Sequence, residues 1–268
     1  MQRHVYEEYG GVNPAFNSHP DLIRAKESKN QVYAKIFGWF GLGLLVTALT
    51  SFGIAFLMAY YLGQADYSAA ANEAAYRAFI IYLSVLLGSF VFMLILSFII
   101  NWRIAKGGAK LLVPFLLYSM LMGVFISAFL VAGVPFYVMG EAFGVTALVF
   151  LSMGLIGYFS KKNLNWLLMI LGGLLVTMMI FGIFFWLMFL FLPGTFSIWS
   201  LGISLLFTLF IVIVVAVDMQ NVKAAVENGA SGRSFELMCA FAFYTSFMQL
   251  FIRILYIALL IMGRSRRN

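Results

Sequence analysis

Charge is scarce in this 268-residue chain. Asp, Glu, Lys and Arg make up 10% of it, where a soluble domain carries roughly 25%. Hydrophobic residues make up 63% and the mean hydropathy is +0.99. A water-soluble fold of this length could not bury so much apolar surface. Cys239 is the one cysteine, so no intramolecular disulfide can form. The two histidines, His4 and His19, lie in the N-terminal stretch without ligand spacing, which argues against a histidine-based metal centre or catalytic triad. Neither a P-loop nor a dinucleotide fingerprint is present. Long continuous apolar runs, rather than alternating ones, exclude a transmembrane β-barrel.

Those runs fall at about 36–62, 78–100, 111–133, 142–160, 164–192, 196–218 and 236–262. Each approaches or exceeds the roughly 20 residues that a helix needs to cross the hydrocarbon core. The expected fold is therefore an all-α integral membrane protein of seven transmembrane helices, joined by connections too short to hold a soluble domain. Pro114, Pro135 and Pro193 stand at run ends, where proline breaks no interior helix bond. Trp39, Trp102, Trp166 and Trp199 also lie near run ends, at the headgroup level that amphipathic rings favour, whereas Trp186 does not. Three segments follow: a polar tail over 1–35, the membrane domain over 36–262 and a short basic tail over 263–268. The first tail lacks the apolar region of a signal peptide, so the first run is expected to serve as an uncleaved targeting signal.

The net charge of +7 is better explained by topology and anionic lipid than by nucleic acid. Arg3, Arg24, Lys26, Lys29 and Lys35 precede or open the first run. Alternate connections add Arg103, Lys106, Lys110, Lys161, Lys162, Lys223 and Arg233. The opposite connections carry only Arg77. The positive-inside rule then puts the N-terminus in the cytoplasm. Seven full crossings leave Arg264, Arg266 and Arg267 outside. Either the last helix re-enters or the tail tolerates the mismatch.

Polar residues inside the runs mark packed or functional faces, because lipid supplies little hydrophobic drive for helix association. The third run carries Ser119, Gly123 and Ser127 at four-residue spacing, and the first carries Gly43, Thr47 and Thr50; close packing accounts for both sets. The sixth run carries Ser204, Thr208 and Asp218 along one stripe, and the seventh carries Cys239, Ala242, Ser246, Gln249 and Arg253 along another. Asp218 is the most informative residue. A carboxylate at mid-membrane costs roughly 2.5–3.5 kcal/mol on insertion scales and is an ion-ligand or proton-carrier candidate. Alternatively the sixth helix ends there and water reaches the side chain. Arg253 lies well inside the seventh run. It either snorkels outward or pairs with Glu141, whose other reading is stabilisation of a helix N-terminus.

Several motifs in order resemble the Bax inhibitor family, in its bacterial branch. They are Tyr118 through Gly123 with Ser127; Glu141-Ala-Phe-Gly-Val-Thr146 through Phe150, Gly157-Tyr158 and Lys161-Lys162-Asn-Leu164; Asp218-Met-Gln220-Asn-Val222; and Phe243-Tyr244 through Phe247 with Leu250-Phe251. The resemblance runs over about 31–262 and implies seven helices with the last at the centre of the other six. It also implies a pH-sensitive calcium leak in which two aspartates, one each in helices six and seven, share a proton and gate the pore. Here Asp218 occupies the first position, while the second falls at Ser246. A serine cannot share the proton in that way, though it can donate a hydrogen bond to a carboxylate or lend a neutral oxygen to a cation.

The expected function is thus a membrane cation leak, permeable to calcium, with Asp218 and Ser246 on the ion path and Asp218 as the calcium contact. No tightly bound cofactor is expected; calcium would be the permeant species. The competing reading is a membrane-embedded regulator acting through its tail, since some bacterial relatives resemble modulators of a membrane-bound protease. The lipid bilayer is the certain partner, nucleic acid is not one, and the expected location is a bacterial plasma membrane. With no Ser/His pair, carboxylate pair or metal cluster within the runs, an intramembrane enzyme is not expected.

Overall fold

The computed structural model describes residues 28–63, 69–105, 111–160, 164, 166–167, 169–170, 172–174, 176–177 and 196–265. The described residues form six long helices and no strand: α1 (Lys29–Gly63), α2 (Ala69–Ala105), α3 (Leu112–Val131), α4 (Phe136–Phe159), α5 (Phe196–Glu227) and α6 (Arg233–Ser265). All six are long and apolar enough to cross a membrane. Helix is the form such runs must take, since lipid offers no partner for a free N–H or C=O. The expected fifth run at 164–192 lies mostly outside the described residues, as do Trp186, Pro193, Lys106, Lys110, Lys161, Lys162 and tail residues 1–27.

The helices extend beyond their apolar runs, and the extensions are informative. α5 does not stop at Asp218 but continues nine residues to Glu227. The reading of Asp218 as the end of its helix therefore falls. Apolarity ends there, but helix-forming residues from Met219 to Glu227 continue the backbone ladder. α4 begins at Phe136, not near 142, because the aromatic and small residues 136–141 join the helix directly after Pro135.

Helix ends follow local chemistry. After α3, Val134 N–H donates to the Phe129 carbonyl and Gly133 N–H to the Leu130 carbonyl, each at 3.0 Å. This paired closure places Gly133 at φ +83°, a left-handed conformation that suits glycine. Pro135 follows and cannot extend the helix. Gly229 (φ +88°) and Gly232 (φ +111°) make the turn between α5 and α6, and Glu236 N–H opens the α6 ladder on the Gly232 carbonyl at 3.0 Å.

The chain divides into two compact units. One holds α1, α2, α3 and the start of α6 through Tyr244. There α1 and α3 cross on small residues. A Cβ on Gly123 would stand 2.7 Å from the Thr47 carbonyl oxygen, and one on Gly43 would stand 2.6 Å from the Phe115 ring. The small residues at four-residue spacing in both helices thus mark a close approach. Tyr82 of α2 meets Ser127 of α3, hydroxyl to hydroxyl, at 3.2 Å.

The other unit holds α4, α5 and α6 from Thr245 onward. A Cβ on Gly157 of α4 would collide with the Ala216 carbonyl of α5, so that glycine sets the spacing of the two backbones. Phe143 and Phe150 of α4 pack against Phe247 of α6, with ring centroids 5.4 and 5.5 Å apart. Their edge-on arrangement suits aromatic quadrupoles.

Candidate ion site on helices α5 and α6

Asp218 sits in the candidate membrane span Ser204–Glu227, at the end of its apolar part, flanked by the buried residues Val215, Ala216, Val217 and Met219. Its own side chain is partly buried. Ser246 of α6 is buried and donates its hydroxyl to Asp218 Oδ2 at 3.1 Å. The two positions on which the motif comparison converged are therefore brought into direct contact. Among the described residues no Lys or Arg forms an ion pair with Asp218. A hydrogen bond to a charged group contributes about 1.5–3 kcal/mol, comparable to the insertion cost of a carboxylate but not a replacement for a counter-ion.

Lys223, one turn beyond Asp218, is committed elsewhere. Lys223 Nζ donates to the Tyr158 carbonyl at 2.7 Å and lies 4.9 Å from the centre of that ring. Tyr158 is in the last turn of α4, where carbonyls have no intrahelical partner and a cation complements the helix dipole. Gln220 takes a related part: its Oε1 accepts the Leu164 N–H at 3.0 Å. Asp218-Met-Gln220-Asn-Val222-Lys223 thus divides its labour around the helix. Gln220 and Lys223, three residues apart and so about 60° apart in projection, hold the chain where α4 ends, while Asp218 turns to α6. Sequence reasoning counted Lys223 only as a topogenic charge and Gln220 only as a motif letter. The signal that could have found them is that polar spacing continuing past the apolar run.

The alternative in which Glu141 pairs with Arg253 is not realised among the described residues. Glu141 is exposed in the second turn of α4. The Arg253 guanidinium instead lies 4.9 Å from the centre of the Phe207 ring on α5. For a partly buried guanidinium, an aromatic face is a ready alternative to a carboxylate. The α6 stripe is also less uniform than expected: Cys239 and Ser246 are buried, but Gln249 is exposed. On α5, Ser204 is buried and its hydroxyl has no hydrogen-bond partner among the described residues, while Thr208 turns its own hydroxyl back to the Ser204 carbonyl at 2.7 Å.

Two residues before Ser246, Tyr244 anchors α6 in the first unit. Its hydroxyl meets Thr47 Oγ1 at 2.5 Å, and Thr47 Oγ1 also lies 2.9 Å from the Ser119 carbonyl and 3.0 Å from the Gly43 carbonyl. Thr47 has one proton to donate. The arrangement is satisfied when Tyr244 donates to Thr47 and Thr47 donates to a carbonyl.

A multi-pass helical membrane protein with a carboxylate and a serine hydroxyl paired between two spans is the class that this architecture defines. The sequence model of the family described as Inhibitor of apoptosis-promoting Bax1 matches residues 29–267, and the chain belongs to that Bax inhibitor family. It is similar to uncharacterized membrane proteins of Streptococcus pyogenes serotypes M6 and M1. Each is 28% identical over 243 residues, covering 90% of this chain and 97% of the relative. It is also similar to the inner membrane protein YbhL of Escherichia coli K12, 25% identical over 251 residues with the same coverage.

Proposed function

We propose that the chain is a cation leak of the bacterial membrane, permeable to calcium, with Asp218 and Ser246 on the ion path. In this reading the N-terminus is cytoplasmic, the 164–192 run supplies a further crossing and the last helix is central. The observation that carries the proposal is the Ser246–Asp218 hydrogen bond between two candidate membrane spans, beside the buried residues Val215, Ala216 and Val217. A carboxylate there is expensive unless it serves a purpose. A cation passing this point would meet one carboxylate oxygen, the serine oxygen and water. That is a weak oxygen set, suited to passage rather than to tight capture. The burial of α6 is compatible with a central place: 44% of its most apolar stretch is buried, as for α3, against 17% to 28% for α1, α2, α4 and α5. Protonation of Asp218 would neutralise the path and so modulate flux without any covalent chemistry. Calcium flux into proteoliposomes of the full chain, compared with Asp218→Asn across pH, tests the proposal. Flux equal to that of empty liposomes would overturn it.

A further inference from the structure

A second polar feature lies in the first unit, at the start of α6 beside the second to fourth turns of α1. Lys35, Trp39, Leu42, Gly232, Arg233 and Glu236 line a cavity of about 560 Å³, within the roughly 300–1,000 Å³ of small-ligand pockets. Its charges are mixed. The Lys35 side chain is 46% exposed and that of Glu236 only 4%. Arg233 is exposed, with its guanidinium 5.6 Å from the centre of the Trp39 ring. The first turn of α6 also ends here, adding N–H groups that have no intrahelical acceptor.

Glu236 indicates what kind of ligand would complete the cavity. Its buried Oε1 accepts no hydrogen bond among the described residues. Lys35 Nζ stands 3.5 Å from that oxygen, close enough for ion-pair attraction but too far for a good hydrogen bond. Buried carboxylate oxygens are rarely left so. The missing partner is a donor, and a cationic donor makes the stronger bond. Around that acid, Lys35, Arg233 and the helix N-terminus present positive charge suited to a phosphate. A ligand that joins a phosphodiester to a primary ammonium by a short linker satisfies both. Trp39 adds an interfacial ring and Leu42 an apolar wall, placing the cavity at the polar edge of two membrane spans.

We propose that this cavity binds the headgroup of an amine-bearing phospholipid, of the phosphatidylethanolamine type. The ammonium donates to Glu236 Oε1, the phosphate lies against Lys35, Arg233 and the start of α6, and the acyl chains leave along Leu42. A choline headgroup has no N–H to donate, and a glycerol headgroup brings no cation to the carboxylate. The site therefore distinguishes headgroups that carry the same phosphate.

The test is native mass spectrometry of the full chain in detergent, titrated with phosphatidylethanolamine, its mono- and dimethyl derivatives, phosphatidylcholine and phosphatidylglycerol of identical acyl chains. The expected result is an ethanolamine-over-choline preference of about tenfold, the scale of one charge-assisted hydrogen bond, falling stepwise with each added methyl. Glu236→Gln is expected to remove the preference, whereas Lys35→Ala with Arg233→Ala weakens all the lipids together. Equal retention of ethanolamine and choline lipids overturns the proposal, as does an unchanged preference in Glu236→Gln. The methylation series needs only the native chain, so the test survives a variant that fails to fold. Soluble O-phosphoethanolamine forms the last arm. Competition at the same concentration as the lipid would assign the cavity to a free metabolite and overturn the lipid assignment.

Discussion

The hydroxyl of Ser246 donates to Oδ2 of Asp218 at 3.1 Å, joining α6 to α5 at the one formal charge of the α5 stripe. Removing either end should have different consequences. Asp218→Asn keeps size and hydrogen bonding but loses the charge, and calcium flux in proteoliposomes should fall by about tenfold or more, because one lost cation contact of 1.4 kcal/mol is already a factor of ten. Ser246→Ala keeps the charge but strips its hydrogen bond. It should cost about 1–3 kcal/mol in thermal or denaturant stability in detergent and lower flux less than Asp218→Asn does, because the path loses one neutral oxygen but keeps its charge. Flux unchanged in Ser246→Ala would show that the hydroxyl does not contact the ion, and flux unchanged in Asp218→Asn would remove the carboxylate from the path.

The same pair predicts the form of the pH response. Asp218 is neutral below its titration and anionic above it, so flux should rise with pH along a one-proton curve. Ser246→Asp places a second carboxylate where the serine hydroxyl now donates. Two carboxylates in contact resist ionising together and titrate as a coupled pair. The variant should replace the single step with two separated steps in flux against pH. A single unchanged step would show that residue 246 does not face the path.

Much of this geometry was legible in the sequence. Six of the seven expected runs correspond to helices among the described residues, because composition and length alone decide whether a segment can cross a bilayer. The contact of Asp218 with Ser246 was anticipated from motif order. Of the two readings offered for Arg253, pairing with Glu141 is not the one seen: similar depth says nothing about direction around a helix, and Arg253 turns to Phe207. The end of α5 was also hidden, since hydropathy falls at Asp218 while the backbone continues to Glu227. The Thr47–Tyr244 contact joins residues 197 apart in sequence, a separation that no local pattern spans.

That distant contact can be measured by a double-mutant cycle. Thr47→Val removes the hydroxyl at nearly constant shape, and Tyr244→Phe removes only the phenol oxygen. Each single variant leaves the other group without this partner at a buried position, so each should cost about 1–3 kcal/mol. The double variant should cost less than their sum, with a coupling of about 0.5–3 kcal/mol. Additive losses in thermal unfolding would mean that the 2.5 Å contact contributes no stability of its own.

Two glycines of α4 provide a matched comparison of packing near the site. A Cβ at Gly157 would strike the Ala216 carbonyl, two residues before Asp218, whereas a Cβ at Gly154 would meet nothing within 4 Å. Both lie in the same helix, so replacing either with alanine brings the same gain in helix propensity, about 1 kcal/mol. Gly154→Ala should therefore be neutral or stabilising. Gly157→Ala must push α5 away along backbone that has no flexible side chain to yield. Overpacking of this kind costs about 1–3 kcal/mol, so the net effect should be destabilising despite the propensity gain. Because Ala216 and Asp218 share one rigid helix, displacement of the first should misalign the second against Ser246. Thermal unfolding and calcium flux measured on the two variants should then diverge: Gly154→Ala retains both, and Gly157→Ala loses both. Equal behaviour would mean that α4 and α5 do not approach this closely in the membrane.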